Sequence, residues 1–103
     1  NEPALAKRVT DTMADWLGKG TLIKRQPTMG GEDFGMYGRT EHKIPIFMFA
    51  LGTVSSDLLK RFRAAGKPLP MVHSSTYAPD IEPSLRTGVT ATTAAALDLF
   101  AAP

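Results

Sequence analysis

The run Ile44-Pro45-Ile46-Phe47-Met48-Phe49-Ala50-Leu51 restricts the fold of this chain more than any other segment. It is apolar without interruption, so it lacks the alternation of a half-exposed strand. A short continuous apolar stretch bounded by turn residues fits a strand covered on both faces, as in parallel or mixed sheets. Pro45 belongs at its beginning, where a missing N–H costs no ladder bond, and Gly52 ends it. The expectation is an α/β architecture, part of a mixed or parallel sheet with flanking helices.

Helical patterns lie on both sides of that run. Asn1 can cap a first helix with Pro3 in its first turn, and Leu5, Val9, Met13, Trp16 and Leu17 recur at helical spacing until Gly18 and Gly20. Residues 21–26 read as a short strand stopped by Pro27, followed by a glycine turn at Gly30 and Gly31 and a short helix from Asp33 to Tyr37. Ser55 or Ser56 can cap a further helix whose Leu58, Leu59 and Phe62 face inward, and Gly66 stops it. A long final helix starts near Glu82-Pro83, with Leu85, Val89, Thr92, Ala96 and Leu99 on one stripe. Gly88, Ala91, Ala94 and Ala95 keep its neighbouring surface thin, which suits close packing on a sheet.

Twelve basic and ten acidic side chains leave a net charge of +2. The basic residues are scattered rather than gathered into a tract, so nucleic-acid binding is not indicated. The chain has no cysteine, which excludes disulfides, thiol catalysis and cysteine-bound zinc within it. No apolar run approaches the roughly 18 to 20 residues of a membrane span. With 43% hydrophobic residues over 103 positions, one domain or sub-domain with a modest core is expected. Asn1 already lies inside a helix-start pattern, and the chain reads as a piece of a longer protein.

Two places can carry chemistry. His73 lies in a polar loop, Pro70-Met71-Val72-His73-Ser74-Ser75-Thr76-Tyr77-Ala78-Pro79-Asp80, where an imidazole can reach a metal and Ser74, Ser75 or Asp80 can orient its second nitrogen. A loop histidine bonded to backbone is the commoner alternative, and local sequence leaves both open. Gly30 and Gly31 allow close approach of a ligand, with N–H groups at the following helix start available to an anion. Glu32 or Asp33 as a plain helix cap explains the same residues. Tyr77 can touch a substrate or anchor the loop in the core, and His42, between Glu41 and Lys43, reads as a solvated surface residue.

Taken together, Met29-Gly30-Gly31-Glu32-Asp33-Phe34, the Pro45 to Gly52 run, and His73-Ser74 with Pro79-Asp80, Leu85, Gly88 and the alanine-rich helix resemble the C-terminal part of M20 family metallopeptidases. The closest branch is that of hippurate and N-acyl-amino-acid amidohydrolases. The resemblance implies an α/β catalytic domain with two divalent metals, zinc or manganese, that activate a water against the amide bond of an N-acyl amino acid or short peptide. It makes His73 a metal ligand and places Gly30, Gly31 and Glu32 in the substrate pocket. It puts the base glutamate, the other ligands, the N-terminal catalytic half and a lid or dimerisation domain outside this chain. Residues 1–103 would then be the C-terminal segment of the catalytic domain, inactive alone, cytoplasmic, and either homo-oligomeric or associated with the rest of the enzyme. Ser75 departs from the proline that many relatives carry after His-Ser. The rival reading is a non-catalytic small α/β binding or dimerisation module.

Overall fold

The computed structural model describes residues 1–26 and 29–101. Three α-helices, α1 (Pro3–Leu17), α2 (Ser56–Ala64) and α3 (Ile81–Phe100), are joined by loops that contain two 3-10 helices, Lys19–Thr21 and Asp33–Arg39. No residue among those described lies in a strand, which overturns the expected α/β architecture and its mixed or parallel sheet. A strand is defined by a ladder to a second segment, and apolar composition supplies only one side of that pairing. The chain divides into two compact units, Asn1–Ala50 with Val89–Pro103, and Leu51–Gly88.

In the first unit, α1 begins at Glu2 rather than Asn1. The Glu2 carboxylate accepts the N–H groups of Ala4 at 3.0 Å and Leu5 at 2.6 Å, satisfying two of the donors that every helix start leaves free. Those bonds, Leu5 first and Ala4 second, hold its pKa below the ordinary 4.5. Gly18 closes the helix at φ 92°, a backbone region that costs glycine least, and its N–H donates to Ala14 O. The inner face of α1 carries Val9 and Met13, each 1% exposed, which with Ala91 of α3 form the buried centre. Leu5, Leu17, Phe47 and Ala95 pack around them. Trp16, part of the same periodic pattern, is 54% exposed.

Helix α3 turns a different face inward from the one its large apolar residues mark. Ser84, Ala91 and Ala94 are buried, whereas Leu85 and Val89 are each 63% exposed and Leu99 is 43% exposed. Alanines at the contact let the Val9 and Met13 side chains of α1 approach the α3 backbone, and close approach is what small residues provide. Arg8 fixes the pairing near the helix end: its Nε donates to Asp98 Oδ2 at 2.7 Å and its Nη2 to the Asp98 carbonyl at 2.6 Å.

The apolar run at residues 44–51 passes through this unit without a ladder. Glu2 N donates to Ile46 O at 2.8 Å, and the Asn1 side chain brackets Met48, with Nδ2 donating to its O and Oδ1 accepting its N–H, both at 2.8 Å. Gly38 lets the Asp33–Arg39 helix approach Ile46, since a Cβ there would lie 3.2 Å from the Ile46 side chain. Ile46 and Phe47 are half-buried, while Ile44, Met48 and Phe49 stay exposed. The expected strand at residues 21–26 is likewise absent: a 3-10 turn occupies Lys19–Thr21, and residues 22–26 are exposed without regular structure. Pro27, read as its stop, lies outside the described residues.

The second unit is built on α2. Ser55 caps it, its Oγ accepting Leu58 N at 3.2 Å, and Gly66 at φ 63° ends it, with Gly66 N donating to Arg63 O and Lys67 N to Phe62 O. The following loop returns to the residues before α2, where Thr53 O accepts Asp80 N at 2.7 Å and the Thr53 and Tyr77 hydroxyls share a hydrogen bond. Within this unit only Ser84 is buried.

Candidate functional site

The His73 loop consists of two consecutive turns, closed by Ser74 N donating to Met71 O at 3.1 Å and Tyr77 N to Ser74 O at 3.1 Å. Ser74 Oγ bonds Thr76 Oγ1 at 2.9 Å and accepts Thr76 N at 3.2 Å, which braces the second turn. His73 itself sits at φ 71°, the left-handed region that non-glycine residues seldom enter. Its ring is exposed and engages no hydrogen bond or ion pair with any described residue. Ser74 therefore points its hydroxyl into the loop rather than toward the imidazole.

Beneath this loop lies an apolar cavity of about 180 Å³. One wall is Val54 with Leu58 and Phe62, which share a face of α2 at i, i+4 spacing. The other is the loop: Leu69 and Pro70 before His73, and Thr76, Tyr77 and Ala78 after it. Tyr77 acts as both readings of it expected in part, anchored through its hydroxyl to Thr53 and presenting its ring to the cavity.

Gly30, Gly31 and Glu32 belong to the other unit. Both glycines are exposed, and a Cβ at Gly31 would meet nothing within 4 Å. Glu32 caps the Asp33–Arg39 helix, Oε1 accepting Phe34 N at 3.0 Å. That carboxylate already occupies the helix start which the sequence offered to an external anion. Phe34 and Tyr37 follow on this helix with ring centroids 5.7 Å apart. His42 pairs with Glu41 at 3.3 Å on the surface, in keeping with a solvated role.

A two-metal centre needs several imidazole or carboxylate donors converging on each ion. No group of three or more such residues is placed to hold a metal among the described residues. The donors present do not by themselves fit the pair of divalent ions that the resemblance implies, and the expected binuclear site finds no support within this chain. His73 is the one imidazole standing beside a cavity. No helix among the described residues is long and apolar enough to cross a membrane.

Comparison of the chain with family models, curated proteins and solved structures gave no match.

Two features of the site escaped the sequence. The cavity is formed by segments separated by the turn at Gly66, and no spacing rule links Leu58 and Phe62 to Tyr77 and Ala78. The left-handed backbone at His73 also had no signal, because the glycine or asparagine that marks such positions is absent there.

Proposed function

We propose that this chain is part of a metal-dependent amidohydrolase that cleaves the amide bond of an N-acyl amino acid or short peptide, to which it contributes His73 as one metal ligand. One observation carries the reading: His73 is exposed, without a protein partner, and kept in a strained backbone conformation by a turn that glycine would form at less cost. Strain retained at an unpartnered histidine is what a ligand position requires and what a structural loop has no use for. The remaining ligands and the base lie, on this reading, outside these 103 residues, and Gly30, Gly31 and Glu32 contribute to the substrate side.

The test is elemental analysis together with hydrolysis of an N-acyl amino acid panel, on the full-length protein and its His73→Ala variant. Joint loss of metal and hydrolysis in the variant upholds the reading. A full-length protein that binds no metal sinks it. The second reading, a non-catalytic binding module, is favoured by a different observation: the cavity beside His73 is enclosed entirely by residues of one unit and needs no outside part.

A further inference from the structure

We infer that the cavity under the His73 loop is a binding site for a small carboxylate carrying an aromatic or short branched apolar group. Its volume, about 180 Å³, is enough for one such group; an engineered apolar cavity of about 150 Å³ holds benzene. The walls are almost wholly hydrocarbon, and the two hydroxyls on them are already engaged, Thr76 with Ser74 and Tyr77 with Thr53. Nothing on the walls therefore calls for a polar tail.

Charge decides the other end of the ligand. The unit contains five basic and three acidic residues. Asp57 is paired with Lys60 and Glu82 with Arg86. Arg61 and Lys67 are exposed and form no ion pair with any described residue. Both belong to the cavity's own framework. Arg61 precedes Phe62 on α2, so at about 100° per residue it flanks the face that Leu58 and Phe62 turn to the cavity. Lys67 is tied by its N–H to Phe62 O at 3.0 Å, two residues before the lining Leu69. An apolar slot flanked by two unpaired cations fits an amphiphilic monoanion, whose carboxylate either cation can meet in a charge-assisted hydrogen bond. This inference needs no metal and stands apart from the role given to His73.

The experiment is a titration of the ¹⁵N-labelled 103-residue chain in EDTA, followed by amide shifts, with 3-phenylpropionate, its neutral analogue 3-phenylpropan-1-ol, and acetate. For a ligand of this size, saturable binding of the acid on the order of millimolar is expected, with shifts at Leu58, Phe62 and Tyr77. The alcohol should bind about threefold or more weakly, and acetate should not saturate. An Arg61→Gln/Lys67→Gln variant should keep the native spectrum, since both side chains are exposed, and reduce the acid to the alcohol's affinity. Ala78→Leu should fill the cavity and weaken both aromatic ligands. Equal affinity for acid and alcohol, shifts outside residues 51–88, or no saturation by about 20 mM would each overturn the proposal. Because metal is excluded throughout, failure here leaves the amidohydrolase reading where it was, and failure of that reading leaves this site intact.

Discussion

At φ 71°, His73 occupies a conformation in which an L side chain crowds its own backbone, at a cost of about 1 to 2 kcal/mol. Glycine escapes that cost, so His73→Gly should be more stable than His73→Ala by about 1 kcal/mol in denaturant titrations. The reverse order would mean that the turn is not left-handed in solution. The comparison also protects the functional test, because a variant that loses metal while gaining stability cannot have lost it through unfolding. Glu2 supplies a second prediction. Its pKa is lowered, so the stability it lends α1 is present above the ordinary value of 4.5 and is lost as pH falls through the lowered value. Helicity of α1 should decline over that interval, and Glu2→Gln should flatten the acid limb. An unchanged limb would show that the cap does not act through its charge.

Among the elements, those with local punctuation were legible from residue order. Ser55 and Gly66 bound α2, and Gly18 closes α1, because a cap or a left-handed stop is decided within a turn of chain. The run at residues 44–51 was not, since its identity as a strand depended on a neighbour that composition cannot supply. Its amides should exchange with solvent rapidly, apart from Met48, whose N–H is held by Asn1. Slow exchange along the whole run would reveal a ladder. The orientation of α3 was equally hidden. Spacing identified an apolar stripe but not which stripe meets α1, and the alanine face won because Val9 and Met13 already fill the space between the helices. Ala94→Leu, at a position with 0% exposure, should cost about 1 to 3 kcal/mol by overpacking, whereas Leu85→Ser should change stability by about 0.5 kcal/mol or less. Of the candidate site, His73 was legible as an exposed loop residue, but the cavity beside it was not, for its walls meet only after the chain has turned back at Gly66.

At the scale of the whole molecule, the accessible surface is 8656 Å². A self-contained monomer of 11.1 kDa would expose roughly 5,700 Å². The excess includes large apolar side chains such as Ile23, Met29, Met71 and Phe100, each more than three-quarters exposed. Apolar surface on this scale favours association. Sedimentation velocity across a concentration series should show self-association of the chain, or its capture by the remainder of the enzyme when both are mixed. A monomer at every concentration and in every mixture would count against both forms of association.

The inward alanines of α3 carry a consequence for how this protein tolerates sequence change. In most helices, leucines and valines mark the positions that mutation cannot touch, and alanines are the permissive ones. Here the order is inverted: in a saturation scan of α3, Ala91 and Ala94 should accept almost nothing larger, while Leu85 and Val89 should admit serine, lysine or glutamate with little loss of folded protein. A hydropathy profile laid over that scan would run opposite to the map of intolerance.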